Sequence, residues 1–381
     1  MELELQKQLR AGKTPAEICD PLGIDFKELD GKILFSYDMI SSYKFKENPI
    51  VMECRGLILY KDTWDVASMA FSRFFNYGET GADKLPDDLS GCLVLEKRDG
   101  TMISLRFDKI TGEWEVSTRN MIYAEGPVNN CDNITFEELF WEGAAKTKLP
   151  MLADSGALGK ECTYVFELTG PKNRIVTPYK ETTITLLTIR NNNSLLECER
   201  DICRVMADMM ECDLVKAIEL TNWKELLAME SCSSVFEGYV VVKEDQPSHL
   251  RVKVKNPSYL AISKMASSIS ERGFLELIKE GKHDDYLTYF PEYKEHIEKL
   301  LMGLDKIINV TRQDWNDMPK LDTDADYKKN RGIFARAAYQ KTFPHILFDL
   351  YDNKVCMYSM PAYLIGLKTD SLLDMIHKVN K

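Results

Sequence analysis

Through the first two thirds of the chain, apolar and polar residues alternate with a period of two, and in the last third the apolar spacing shifts to three and four. Alternation sends successive side chains to opposite faces of a strand, whereas spacing by three and four lines one face of a helix. The early pattern predicts strands over ILFSYDMI, ECRGLILY, CLVLEK, TMISLRF, EWEVST, TYVFELT, TTITLLTIR, FEGYVVV and LRVKVK. Between them, TFEELFWEGAAK carries Thr135 and Glu138 at capping-box spacing and predicts a helix start. Two further helical segments fall at about 199–230. The first thirty residues predict a helix and then a loop, with Pro15, Pro21 and Gly23 as breakers. From NPSYLAISK onward, FLELIKE, EHIEKLLMGLDKII and GIFARAAYQ keep the helical period, interrupted by Pro291, Pro319, Pro344 and Pro361. The expected fold is therefore α+β, with a sheet-rich domain over residues 1–262 and an all-α domain over 263–381.

At the centre of the strand-rich part lies GCLVLEKRDGTMISLRF, in which two alternating runs meet at KRDG. Asp99-Gly100 supplies the positive φ angles of a tight turn, so this stretch predicts a β-hairpin with Lys97 at its mouth. EWEVSTRN continues the sheet and ends on Arg119. Glu167 stands among apolar neighbours in TYVFELTG, and the alternation of Tyr164, Phe166 and Leu168 against Val165, Glu167 and Thr169 turns it to the other face. Such a carboxylate is either an outward residue or a functional one, because burying it alone is costly. In the predicted hairpin of FEGYVVV and LRVKVKN, Lys253 and Lys255 are two apart and share a face, either as a solvated sheet surface or as a cation cluster. Arg55 reads locally as a strand-edge charge, and Phe75 and Tyr259 as core.

Composition narrows this picture in three ways. A formal net charge of −11 argues against a protein that coats nucleic acid nonspecifically, while leaving room for a local basic groove whose contacts are transient and salt-sensitive. Ten cysteines with no CxxC, and five dispersed histidines, read as reduced core thiols without a zinc site or a catalytic triad. No apolar run is long enough to span a bilayer, and the charged stretch after Met1 is unlike a signal peptide, so the expected location is the cytoplasm. Two motif fragments fail on their own chemistry. DTDADYKKNRGI begins like a calcium loop, but Tyr327 and Ile333 occupy its glycine and closing-glutamate positions, and GALGK lacks the first glycine of a P-loop.

The chemistry that gives these residues a joint purpose is nucleotide transfer through a lysine phosphoramidate. Lys97 would have to attack the α-phosphorus as a neutral amine, so its pKa would have to fall well below about 10.4. One unit charge at about 5 Å in an effective dielectric near 20 contributes about 3 kcal/mol, or roughly two pKa units. A cluster of Lys and Arg converging on Lys97, with a metal and carboxylates to balance the substrate, is what this chemistry demands.

In order, ECRG, KRDG, FELTG, ITLLTIR, FEGYVVV and VKVKN resemble the series found in the covalent nucleotidyltransferases, which are the ATP-dependent RNA and DNA ligases and the mRNA capping enzymes. With ECRG before the lysine motif, FELTGPKNRIV after the glutamate and VKVKNPSY closing the set, the sequence most resembles the phage RNA ligase 1 family over about residues 30–262. The resemblance implies an N-terminal nucleotidyltransferase domain of ATP-grasp-like antiparallel sheets with helices, followed by a helical domain where DNA ligases and capping enzymes carry an OB barrel. It further implies that Lys97 is adenylylated, with Asp99 and Gly100 shaping its turn, and that Glu167 binds the ribose hydroxyls. Glu237 would hold the catalytic Mg²⁺ largely through water, with Mn²⁺ as the alternative ion. Lys253 and Lys255 would grip the α-phosphate, while Arg55 and Arg73 would neutralise the outer phosphates.

Glu96, Gly100, Arg119, Phe75 and Tyr259 fall at nucleotide-binding positions of the family. Arg73 and Arg119 stand where relatives carry lysine, and Asn120 where they carry glycine. The implied function is ATP-dependent joining of 5′-phosphate and 3′-hydroxyl RNA ends, single-stranded or from a broken tRNA, in RNA repair. The expected protein is a monomer in the cytoplasm, that of the host cell if phage-encoded, working beside a separate end-healing kinase or phosphatase. A DNA ligase, a capping guanylyltransferase and a non-catalytic RNA-binding relative are the alternatives.

Overall fold

A computed structural model describes residues 2–38, 42–128, 131–220, 222–228, 236–245, 248–266, 270–281, 283–319 and 327–380. The chain forms two compact units, Met1–Ser263 and Lys264–Lys381. Strands of the first unit, in chain order, are β1 (Ile24–Leu29), β2 (Lys32–Tyr37), β3 (Arg55–Tyr60), β4 (Val66–Ser68), β5 (Phe75–Asn76), β6 (Cys92–Lys97), β7 (Thr101–Phe107) and β8 (Trp114–Thr118). They continue as β9 (Pro127–Val128), β10 (Cys131–Thr135), β11 (Cys162–Thr169), β12 (Thr183–Asn191), β13 (Asp213–Leu214), β14 (Ala217–Ile218), β15 (Gly238–Lys243) and β16 (Leu250–Lys255).

These strands build a four-stranded sheet of order β1-β2-β3-β4, a β10-β9 pair, and two five-stranded sheets of order β13-β12-β11-β7-β8 and β14-β6-β15-β16-β5. Lys97 ends a strand of the second five-stranded sheet and Glu167 lies in the first, so they are called here the lysine sheet and the glutamate sheet. The chain leaves the lysine sheet after β6, completes the glutamate sheet with β7, β8, β11, β12 and β13, and returns at β14. KRDG is therefore not the hairpin that its alternation predicts: β6 and β7 diverge into different sheets. Residues 24–29, expected as loop, form the strand β1, because pairing with the fully buried β2 supplies what local propensity does not.

Burial follows the alternation. Tyr164, Phe166 and Leu168 of β11, Ile103 and Leu105 of β7, and Ile184 and Leu186 of β12 pack against Leu139, Phe140, Leu149 and Met210 from three covering helices, Phe136–Ala144, Leu149–Asp154 and Arg200–Met210. Each such side chain contributes about 1.5–3 kcal/mol on leaving water. The first of these helices starts at the expected capping box, where the Glu138 amide donates to the Thr135 hydroxyl at 3.1 Å and the Thr135 amide donates to the Glu138 carboxylate at 2.8 Å. One face of the lysine sheet buries Val94, Tyr239, Val241 and Val254 against Leu89 and Leu226. Its opposite face and the Glu167 side of the glutamate sheet are left for the site.

Within the second unit every described element is helical, the longest being Lys294–Asn316. Phe274 packs edge-on to Tyr286, which stacks on Phe290 at 4.8 Å, giving this unit an aromatic core. The acidic run at 322–326 lies outside the described residues. Among the described residues no helix is long and apolar enough to cross a membrane.

Candidate active site

The two facing sheet surfaces enclose a cavity of about 540 Å³, lined by Leu95, Lys97, Val240, Val242, Arg251 and Lys253 on one side and by Met102, Thr118, Glu167 and Leu187 on the other. Strand register explains the lysine side. Gly238 is paired with Lys97 across one edge of β15 and with Lys255 across the other, so both lysines stand on one face, flanking a residue without a side chain. A Cβ at Gly238, whose φ is +138°, would run into the Val254 carbonyl. Lys253 follows one step along the same face, opposite Val240 and Leu95. Glu237, buried just before β15, reaches both lysines: its Oε1 lies 2.7 Å from Lys97 Nζ and 3.7 Å from Lys255 Nζ. Glu96 is part of the cavity wall, although alternation turns its side chain to the face opposite Lys97.

The turn that presents Lys97 is tied down by Asp99, which is 2% exposed. Its Oδ2 accepts the Val176 and Thr177 amides at 2.9 and 2.6 Å, and its Oδ1 accepts the Tyr259 hydroxyl at 2.6 Å. The Asp99 amide in turn donates to the Tyr179 hydroxyl at 3.2 Å. At Gly100 an added Cβ would collide with the Leu168 carbonyl of β11. Asp99 and Gly100 thus act together as a rivet between the end of β6 and the glutamate sheet. Tyr259 belongs to this rivet and not to the cavity wall.

Three arginines gather on the far side. Arg73 and Arg119 both lie over the Tyr37 ring, each 4.2 Å from its centroid, and Arg119 also donates to the Tyr37 carbonyl at 2.8 Å. Arg55 lines the cavity, packed over Phe71 and Phe74. Arg73 and Phe75 stand behind this layer: Arg73 is 6% exposed and bonded to Ser42, and Phe75 is buried beneath the Arg73 guanidinium. Neither is part of the cavity wall, which takes Phe74 where the sequence pointed to Phe75.

Burial and charge act on two groups in the cavity. Burial pushes the Glu167 carboxyl up to about 7; Lys97 and Arg55 oppose the shift, while Glu237 and Asp99 add to it. Lys253 is pulled down to about 7, first by burial and then by the positive charges of Arg55, Lys97 and Lys255, while its ammonium donates to the Phe74 carbonyl at 2.8 Å. Arg55, Lys97 and Lys255 thus act together on Lys253, while Glu237 lies against Lys97. Among the described residues no three His, Cys, Asp or Glu side chains form a metal cage. One carboxylate beside Lys97, Glu237, fits Mg²⁺ or Mn²⁺ bound mainly through its own waters, because Asp99 has both oxygens engaged.

Several residues in or behind the wall carried no signal in the sequence. Tyr37, which organises two arginines, sits in an ordinary strand pattern, and Phe74 was indistinguishable from its neighbour in the pair. Arg98, over the Tyr179 ring at 5.3 Å, occupies the unspecified position of KRDG. Arg251 stands two residues before Lys253 on the same face, a period-two extension of the paired lysines that could have been read.

The family model described as RNA ligase matches residues 53–259. A protein of the Autographa californica nuclear polyhedrosis virus, named as a bifunctional polynucleotide kinase/RNA ligase, is 31% identical over 304 residues, covering 74% of this chain and 41% of that protein. The chain thus spans about two fifths of the length of that relative. An RNA ligase of Rhodothermus phage RM378 is 27% identical over 358 residues, covering 79% of each chain. Among solved structures, an archaeal ATP-dependent RNA ligase aligns with a TM-score of 0.45 at 12% identity, over 89% of this chain and 90% of that one.

Proposed function

Because the chain belongs to the RNA ligase family, of the phage RNA ligase 1 type, whose model spans both sides of the cavity, we propose that it is an ATP-dependent RNA ligase acting through a lysyl-AMP. Residues 1–262 are the adenylyltransferase domain, and the helical residues 263–381 either recognise a structured RNA or brace that domain. The observation that carries this reading is the pairing of Gly238 with both Lys97 and Lys255, which puts the two lysines on one sheet face within reach of Glu237.

In the first step the Lys97 amine gives up a proton and attacks the α-phosphorus; the N–P bond forms as the P–O bond to pyrophosphate breaks. Glu167 accepts the ribose hydroxyls, and Lys253 and Lys255 hold the α-phosphate as charge builds on it. Arg55 and Arg119 meet the outer phosphates, with Arg73 holding the Tyr37 platform. Glu237 would hold a divalent ion, which would supply further positive charge to the phosphates. In the second step the 5′-phosphate of an RNA takes the adenylate, returning the bonding pair to Lys97; in the third a 3′-hydroxyl attacks that phosphate and AMP leaves. The reaction requires a 5′-phosphate. The kinase named in the baculovirus relative supports pairing of this ligase with an end-healing activity, and RNA repair, tRNA included, is the setting this implies.

The test is intact mass after incubation with ATP and Mg²⁺, followed by ligation of a 5′-phosphorylated single-stranded oligoribonucleotide. An AMP adduct and a sealed product are expected; GTP and DNA ends in parallel separate a guanylyltransferase or a DNA ligase. Absence of any adduct overturns the proposal. Lys253→Ala is expected to slow adduct formation at least about tenfold, the scale of losing one electrostatic stabiliser; near-normal rates would remove Lys253 from the mechanism.

Proton linkage gives an independent check. Above neutrality Lys253 is largely uncharged in the free protein, and an α-phosphate beside it restores the ammonium, so ATP binding at about pH 8 takes up a proton. Glu167 behaves oppositely: ribose hydroxyls favour its charged form, so binding at about pH 6 releases a proton. Calorimetry in buffers of different ionisation enthalpy reads both, and Lys253→Met should lose the uptake at the higher pH while keeping the release at the lower.

A further inference from the structure

The cation row on β16 has a third member. Successive strand rows on the cavity face are Lys97-Gly238-Lys255, Leu95-Val240-Lys253 and Leu93-Val242-Arg251. Rows are two residues apart, about 7 Å, so Arg251 stands roughly 14 Å down the strands from the nucleophile. Between the two ends the wall consists of Leu95, Leu187, Val215, Val240 and Val242, with Lys253 at the β16 side of the middle row. A nucleotide with its phosphorus at Lys97 that runs down these rows would bring its base toward Arg251, whose guanidinium lies over the Phe71 ring at 4.6 Å.

Both terminal nitrogens of Arg251 are already taken. Nη1 donates to Glu197 Oε2 at 3.0 Å and to the His249 carbonyl at 3.3 Å, and Nη2 donates to Glu197 Oε1. Glu197 is itself fixed: Arg190 Nη2 donates to Oε2 at 3.0 Å and the Thr188 hydroxyl to Oε1 at 2.9 Å, while the Arg190 Nε donates to the Ala70 carbonyl at 3.1 Å. Against the upward push of burial, Arg251 and Arg190 hold the Glu197 carboxyl down to about 2, so it stays ionised. This chain of bonds ties β12 of the glutamate sheet to β16 of the lysine sheet at the deep end of the cavity.

An unpaired arginine fork at that place would suit guanine, whose O6 and N7 are two acceptors side by side, and would oppose the amino group of adenine. We infer that Glu197 is the specificity-determining residue for the nucleobase: by holding both terminal nitrogens of Arg251 it withholds the fork from guanine and leaves an apolar seat that takes adenine. The inference rests on the adenylate-transfer reading above and concerns base choice alone. Glu197→Gln keeps the shape but offers one acceptor and one donor to a fork that needs two acceptors, so half of the fork is released toward the cavity.

The experiment is the initial rate of covalent labelling by α-labelled ATP and GTP in wild type, Glu197→Gln and Arg251→Met. Wild type is expected to favour ATP, and Glu197→Gln to lower the ATP-to-GTP ratio of kcat/KM by about tenfold or more, the discrimination carried by one bidentate base contact. Arg251→Met, with no fork to release, is expected to keep rejecting GTP. A purely structural role slows both nucleotides together and leaves the ratio in place, which overturns the inference; so does an equal loss of selectivity in both variants. If Glu197→Gln does not fold, Thr188→Val, which loosens the same carboxylate at one oxygen, is read by the same ratio. Failure of wild type to label with ATP overturns the ligase reading itself.

Discussion

Lys97→Ala is expected to abolish covalent adenylate uptake, by a factor on the order of 10⁴ or more, the scale of deleting a covalent nucleophile. The fold should survive. The side chain is about a quarter exposed, and Glu237 keeps Lys255 at 3.7 Å when Lys97 is gone. A stability change of about 1 kcal/mol is expected, because the buried carboxylate is not left without a cation. The same variant should still seal RNA supplied with its 5′ end already adenylylated, since in the third step Lys97 is no longer the attacking group. Mass spectrometry for the first claim and gel-resolved sealing for the second give independent readings. An adduct that persists in Lys97→Ala removes the mechanism.

Asp99→Ala is expected to damage both the fold and the chemistry. It strips the acceptors from two amides and a hydroxyl, all at 2.9 Å or closer, in a place from which water is nearly excluded. Bonds to a charged acceptor are worth about 1.5–3 kcal/mol each, and the orphaned donors add their own desolvation cost, so a loss of roughly 3–5 kcal/mol is expected in denaturant titration. Adenylylation at a temperature where the variant remains folded should fall by about 100-fold, the usual cost of displacing a reacting group by about 1 Å. Unchanged stability would mean that the turn is held by something other than Asp99.

These two predictions draw on different parts of the sequence record. The paired lysines, the cavity-facing Glu167 and the capping box at Thr135 were legible, because each depends on a local period that a strand or helix imposes on its own residues. The sheet change at KRDG was not. Alternation on either side of a turn states that two strands exist, and it is silent on whether they pair with each other. Here β6 finds β15 and β14, whereas β7 finds β11 and β8. Arg73 illustrates a second limit, since its motif position is met but its side chain lies over Tyr37, behind the wall, a placement fixed by a ring far away in sequence. The Glu197-Arg251 link spans 54 residues and has no local trace at all.

The interleaved route of the chain bears on how the protein is made. On the ribosome the glutamate sheet has all its strands once Leu214 has emerged, whereas β6, synthesised long before, waits for β14, β15 and β16. Until then the nascent molecule exposes the open edge of Cys92–Lys97, an invitation to wrong partners that only the last hairpin withdraws. Slow translation or a premature stop between Ile218 and Gly238 would therefore leave this strand, the one ending in Lys97, as the sticky edge of an unfinished protein.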